Sequence, residues 1–342
     1  MAPSTFGRGA DLTQVRVGSK AAVPRHPEAV ALRYRALRIV SVVALSAAIQ
    51  FGCAGRSGPR STVMADSTAR PTAVDPIRVM SFNIRYGTAG DGEDAWPHRR
   101  GLVMRTIGSF RPTVLGVQEA LRFQLDEIGD EFREFGEVGV GRDDGAEAGE
   151  YAAILYDRRR LELLESGTFW LSDTPEVVAS TSWGNRITRI VTWARFRGRA
   201  ATDADGGTFY VFNTHWDHES QPSRKRSAEL LLDRIAGRAA AADPVIVTGD
   251  FNAGEGNPAF RRLVEHDRAH LVDTFRALHP DFDHVGTFNG FTGERDGDKI
   301  DAVLASPEWT VLEAGIVRVN EDGRYPSDHF PVTAVLRAAD RS

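Results

Sequence analysis

VIVTGDFN, residues 245–252, reads as a strand that ends on a carboxylate, an aromatic ring and an amide. Residues 245–248 are apolar or β-branched, the composition of a buried strand. Gly249 marks the turn. One strand ending in Asp is an ordinary turn signal. Here the ending recurs. IRVMSF (77–82) is followed by Asn83, VLGV (114–117) by Glu119 and TFYVFN (208–213) by His215. Asp301 opens the strand IDAVLA (300–305), and Asp328 and His329 stand just before VTAVL (332–336). Packed sheets bring such ends together at one rim.

Further strands are expected at YAAILY (151–156) and RIVTWARF (189–196). Leu102, Val103, Thr106, Ile107 and Phe110 recur at helical spacing, and Pro112 stops that helix. Residues 121–128 and 227–235 read as helices, the second with Leu231, Leu232 and Ile235 on its apolar side. GVGRDDGAEAGE (139–150) is a Gly-rich, acidic loop. Many strands with few helices predict an α+β fold of two sheets packed face to face, with helices outside.

The N-terminal part is different in kind. Arg33, Arg35 and Arg38 precede an apolar run at 39–49, too short for a bilayer span of about 20 residues. A basic flank, a short apolar core and small residues make the pattern of a secretory signal. Cys53, after Gly52 and before Ala54, resembles a bacterial lipoprotein cleavage site, with Gln50 where that motif usually has Leu. The alternative is a buried helix with a chance cysteine. The expectation is an export segment over 1–53 and a disordered tether over 54–76, on an exported protein that is either a cell-envelope lipoprotein or secreted. Cys53 is the one cysteine, so neither a disulfide framework nor a thiolate metal site is available.

Charge separates the two parts. The first 76 residues carry 10 Lys+Arg against 4 Asp+Glu, and the remainder 32 against 43, a net −11. Such a body repels long polyanions unless it has a local basic groove, which weighs against a nonspecific nuclease.

Carboxylates, amides and two histidines gathered at one rim suit a hard divalent cation with imidazoles to spare. Mg²⁺ prefers oxygen ligands and needs only one or two carboxylates. Imidazoles serve as general acid and base near neutral pH. A bound cation neutralises phosphoryl charge and orients an in-line attack by water. Zinc hydrolysis would call for denser His spacing than this chain has.

In order along the chain, SFNIR, GVQE, NTHWDH, TGDFN, KIDAVL and YPSDHFP resemble the endonuclease/exonuclease/phosphatase superfamily, over roughly residues 77–337. That is the fold of pancreatic-type deoxyribonuclease, abasic-site endonucleases, sphingomyelinases and inositol polyphosphate 5-phosphatases. The resemblance implies a four-layer α/β sandwich of two mixed sheets flanked by helices. It implies that Glu119 binds the metal, Mg²⁺ with Mn²⁺ as a substitute, with Asn83 and Asp328 nearby. Asp250 and Asn252 would position the attacking water and the phosphate. His215 and His329 would flank the scissile phosphate, with Asp301 orienting His329 and Glu150 doing the same for His215. Phe251 would point back and anchor the turn. Glu150 has the alternative of a solvated acid in an acidic loop. His218 is either a second site residue or a helix-start neighbour.

GRDDG, SGTFWLSDTPE, RITRIVTWARF and GTFNGFTG narrow the resemblance to a bacterial subgroup with poorly defined substrates. Arg189 is the best phosphate clamp, because Arg offers bidentate geometry; its alternative is a structural ion pair. Trp183 and Phe288 sit in polar, Gly-containing loops and are expected to line the cleft. Asn289 stands where the subgroup often has His, and Lys299 where it often has Arg, so both bear on substrate contacts. The leading expectation is a monomeric phosphoesterase acting on a sugar, inositol or lipid-headgroup phosphate. The alternatives are an extracellular nuclease using the same site, with nucleic acid as partner, and a noncatalytic binding module. Lipid on Cys53 would add a membrane association.

Overall fold

The computed structural model describes residues 76–199, 207–265 and 270–339. The expected export segment and the tether up to residue 75 lie outside the described residues.

The strands are β1 (Ile77–Asn83), β2 (Val114–Ala120), β3 (Phe135–Val138), β4 (Tyr151–Asp157), β5 (Leu161–Trp170), β6 (Ile190–Gly198), β7 (Thr208–His215), β8 (Val245–Asp250), β9 (Val272–Asp273), β10 (Asp301–Ala305), β11 (Trp309–Ile316) and β12 (Val332–Ala338). The helices are α1 (Trp96–Phe110), α2 (Arg122–Glu131), α3 (Gln221–Ala236), α4 (Pro258–Val264) and α5 (Thr274–Leu278). Two six-stranded mixed sheets form, in the orders β11-β12-β1-β2-β4-β3 and β5-β6-β7-β8-β10-β9.

Period-two alternation sorts the side chains into layers. Val79, Val114 and Ile154 of the first sheet pack with Phe196, Val211, Ile246 and Val303 of the second. On the other face of the first sheet, Met80, Phe82, Leu115 and Val117 meet Val103 and Ile107 of α1 and Leu125 and Ile128 of α2. On the other face of the second, Tyr210, Phe212, Val245 and Val247 meet Leu231, Leu232 and Ile235 of α3 and Phe260 and Leu263 of α4. The result is a four-layer α/β sandwich.

Each sheet holds one parallel pair, β1 with β2 and β7 with β8. The connections run through α1 and α3, as parallel pairing requires a crossover. Within each pair the C-terminal ends therefore lie side by side. Those ends carry Asn83, Glu119, His215 and Asp250. In β8 the parity that turns Ile246 toward the first sheet also turns Thr248 and Asp250 that way, and Asp250 meets Asn83 there.

Four strands depart from the sequence expectation: β3, β5, β9 and β11 were not anticipated. They are the four sheet edges. β3, β5 and β11 are partly solvated and carry charged residues, so their apolar alternation is diluted, and β9 has two residues, too few to show a period. In β5, LELLESGTFW, four of the first eight residues are Glu, Ser or Gly.

Candidate active site

The core between the sheets turns polar just below the rim. Gln118 Nε2 donates to Asn213 Oδ1 at 2.6 Å, and Thr248 Oγ1 donates to the same oxygen at 2.9 Å. Asn213 Nδ2 donates across to the carbonyls of Val117 and Ala153, at 2.8 Å each. Gly116 makes room for this layer: a Cβ there would lie 2.2 Å from Thr248 Oγ1. The network fixes the ends of β2, β7 and β8 relative to one another. Buried Arg99 of α1 adds a second tie. It donates to the carbonyls of Ile84 and Arg85, beyond β1, and of Pro326, before Asp328.

Glu119 reaches the cleft through a break in regularity. The β2–β4 register shifts between Val117 and Ala120, and Glu119 has φ 60°. A bulge of this kind re-aims a side chain that plain alternation would send to the other face. Glu119 Oε1 accepts from Asn83 Nδ2 at 3.0 Å, and its Oε2 from the Tyr86 N–H at 3.2 Å. Asn83 Nδ2 also donates to Asp250 Oδ2 at 2.9 Å, while its oxygen accepts the Arg85 N–H. Asn83 thus aligns two carboxylates and has no amide atom idle. Asp250 Oδ1 accepts the N–H of Asn252, which sits at φ 45°, a conformation Asn tolerates. Asn252 Nδ2 donates to the Trp216 carbonyl at 3.0 Å. Phe251 is buried edge-on against Trp216 and Phe260, so the turn is anchored as expected.

One donor atom each from Glu119, Asp250 and His329 lies within 4.8 Å of the others. Asp328 is buried, with Oδ2 3.6 Å from Arg85 Nε. Burial first, then the Asp301 carboxylate, pushes Asp250 up to about 7. Burial, with Glu119 adding to it, raises Asp328. A crowd of hard oxygen donors raised in this way fits a divalent cation, which would relieve the repulsion.

The two histidines have unlike surroundings. His329 Nδ1 lies 2.8 Å from Asp301 Oδ2, and Nε2 lies 3.8 Å from Asp250 Oδ2. Burial opposes protonation of His329, but the Asp301 and Asp250 carboxylates outweigh it and hold the imidazole well above its usual range. His215 Nε2 lies 3.4 Å from the same Asp250 oxygen. Burial, then the Arg189 and Arg142 guanidiniums, pushes His215 well below the usual range. Glu150 lies 4.0 Å from His215 Nδ1, yet its two oxygens bind Arg142 at 2.7 and 2.8 Å.

Glu119, Glu150, His215, Asp250, Asn252, Asp328 and His329 line one cleft of about 540 Å³, with Arg85, Tyr86, Arg142, Ile187, Arg189, His218, Phe288 and Ile300, while Asn83 and Asp301 stand behind them. Arg189 Nη2 is 3.0 Å from His218 Nδ1, which brings His218 into the site. Phe288 is 52% exposed and edge-on to His329 at 5.2 Å. Three expected substrate contacts are corrected. Trp183 does not line the cleft: its Nε1 donates to Asp173, and Arg226 lies over its ring. Asn289 is buried, and its amide serves the Ser327 carbonyl and the Phe291 N–H; it shapes the loop of Asp328 from behind. Lys299 is likewise buried, bound to Asp273 at 2.6 Å and beside Glu255. Arg85 and Arg142 escaped the sequence reading although both sit in quoted motifs, SFNIR and GRDDG. A larger hollow, about 810 Å³ and lined by α1 and α2 residues such as Arg100 and Glu127, holds none of these groups.

Comparison with known proteins bears on the family and the fold. The model of the Endonuclease/Exonuclease/phosphatase family matches residues 80–329. No curated protein matches. The structure of an endonuclease/exonuclease/phosphatase from Bacteroides vulgatus is 31% identical, covers 77% of this chain and 99% of its own, and superimposes with a TM-score of 0.69. A mannosyl-6-phosphatase from Bacteroides thetaiotaomicron is 30% identical, over 76% of this chain and 99% of its own, with a TM-score of 0.68. The human Nocturnin catalytic domain shares the fold at 18% identity and a TM-score of 0.62, over 78% of this chain and 95% of its own. With the strand-end motifs, the paired imidazoles and the carboxylate crowd all inside the matched span, the chain belongs to the endonuclease/exonuclease/phosphatase family.

Proposed function

We propose that this family member is a divalent-metal-dependent phosphoesterase that hydrolyses a phosphorylated sugar by attack of water. The observation that carries the reading is the pair of buried histidines that both approach one Asp250 oxygen, at 3.4 and 3.8 Å, beside the carboxylate crowd. Sugar as the alcohol is supported by the mannosyl-6-phosphatase neighbour. The cleft volume of about 540 Å³ suits a small ester.

In this reading Glu119 holds the cation, with Asn83 and Asp328 around it. When bound, a divalent cation such as Mg²⁺ neutralises charge on the phosphoryl oxygens. Asp250, fixed by Asn83 and the Asn252 N–H, orients the attacking water and draws off its proton. Asn252 keeps the turn at the phosphate. His329 donates to the phosphate and gives its proton to the sugar oxygen as the ester P–O bond breaks, with Asp301 holding its ring. His215, neutral, accepts on its own side of Asp250.

The test is a substrate panel with Mg²⁺ and with EDTA: hexose phosphates, inositol phosphates, sphingomyelin, and single- and double-stranded DNA and RNA. Magnesium-dependent phosphate release from hexose phosphates is the expected result. Cleavage of nucleic acid that disappears in the His215→Ala and His329→Ala variants would replace this reading with a nuclease.

A further inference from the structure

We propose that Arg142 and Arg189 form a two-guanidinium wall that selects phosphate monoesters over diesters; this rests on the phosphoesterase reading above. Both side chains line the cleft with His215 and Glu150, and the same four residues surround a small recess behind it. Both are withdrawn from solvent, with side chains 4% exposed for Arg189 and 11% for Arg142. Neither is fully paired. Arg189 uses Nη2 on His218, while its Nε stays 4.0 Å from Asp217, beyond a hydrogen bond. Arg189 Nε and Nη1 and Arg142 Nε have no hydrogen-bond partner among the described residues. Buried donors on charged groups cost more to leave unpaired than those on neutral groups. An anion that the two guanidiniums turn to meet removes that cost.

The local chain is organised to deliver Arg142. Its backbone N–H donates to the Glu150 carbonyl, and its carbonyl accepts Trp170 Nε1 at 2.8 Å. Asp144 Oδ1 accepts the N–H groups of Ala146 and Ala148 and closes the loop on itself. Gly149 takes φ +84°, and a Cβ there would lie 2.4 Å from Asp143 Oδ2, so only glycine fits. Asp143 in turn accepts from Thr188 Oγ1 at 2.6 Å, one residue before Arg189. The two guanidiniums are thus presented by one hydrogen-bonded unit.

A monoester phosphate carries about two negative charges and three terminal acceptor oxygens. A diester has one charge and one terminal oxygen fewer. The oxygen that the diester replaces by a second alkoxy group is the one that spare guanidinium donors would meet. Where such donors are left facing an ester arm, discrimination follows from unpaired buried groups.

The experiment compares kcat/KM for p-nitrophenyl phosphate and bis-(p-nitrophenyl) phosphate in the full-length protein with Mg²⁺. It is run for the wild type, Arg142→Gln, Arg142→Lys and Arg189→Lys, each at its own pH optimum, with circular dichroism to verify folding. Inhibition by inorganic phosphate gives a binding readout that needs no turnover. The wild type should favour the monoester, and Arg142→Gln should cost about 10- to 100-fold on the monoester with far less change on the diester. Phosphate inhibition should weaken in parallel, and Arg142→Lys should recover part of both. An equal loss on both esters would mean that Arg142 acts only through Glu150 and His215, and would overturn the proposal. So would a wild type that prefers the diester. Hydrolysis of neither ester, with no phosphate released from the panel above, would instead remove the phosphoesterase reading on which the proposal stands.

Discussion

His329 and His215 approach the same oxygen of Asp250, at 3.8 and 3.4 Å, from sides of the cleft that differ in charge. Around His329 the neighbours are carboxylates, Asp301 at 2.8 Å and Asp250. Around His215 the first opposing influences after burial are Arg189 and Arg142. The sequence presents the two alike, each with an acid assigned to orient it. The difference arises because Arg142 takes both oxygens of Glu150 and leaves His215 without a close carboxylate on its Nδ1 side. The lesson is that an imidazole's protonation state belongs to its neighbours, and those neighbours come from distant chain segments.

The hardest blow to this comparison is removal of the shared aspartate. Asp250→Asn should lower kcat by about 10³-fold or more, with KM little changed, because the group acts in the transition state. Unchanged kcat in steady-state kinetics would show that the two histidines do not serve one reaction at Asp250.

Shifting each side separately sharpens it. His329 is taken as the protonated donor, so activity falls as pH rises through its raised pKa. Asp301→Asn removes an interaction that raises that pKa, and the alkaline limb of the kcat–pH profile should move to lower pH. His215 is taken as the neutral acceptor. Arg142→Gln removes a cation that lowers its pKa, and the His215 imidazole titration followed by NMR should move to higher pH. An alkaline limb or a His215 titration that stays in place would dissolve the contrast.

The smallest effect is on stability. A raised folded pKa at His329 contributes stability that is full below the unfolded value, near 6.5, and is lost as pH rises through the folded value. The lowered pKa at His215 works in reverse: its contribution is present above about 6.5 and is lost as pH falls. Thermal melts from pH 5 to 9 should therefore show wild type minus His329→Gln falling with pH, and wild type minus His215→Gln rising. Slopes of one sign would mean that both histidines share a protonation state.

Much of this molecule can be read from the chain alone. The central strands β1, β2, β7, β8, β10 and β12 are runs of apolar and β-branched residues buried on both faces, a signal that local composition carries by itself. The strand ends carry their chemistry in the same few letters, so Asn83, Glu119, His215, Asp250, Asp301, Asp328 and His329 are all named before any fold exists. The edge strands β3, β5 and β11 are missed because partly solvated strands tolerate the charges that blur alternation, and β9 because it has two residues.

The tertiary structure alone decides the rest. The bulge that aims Glu119 depends on β4 pairing out of step with β2. Asn213 becomes the tie beneath the cleft only when the second sheet lies over the first. Asn289 turns from a substrate contact into a support for the Asp328 loop, and Arg142 captures Glu150 and stands beside Arg189, through contacts that no local pattern encodes. The physical reason is common to these cases. Composition and period determine which residues a strand buries and where it ends, whereas pairing, protonation and access depend on which segments meet across the sandwich.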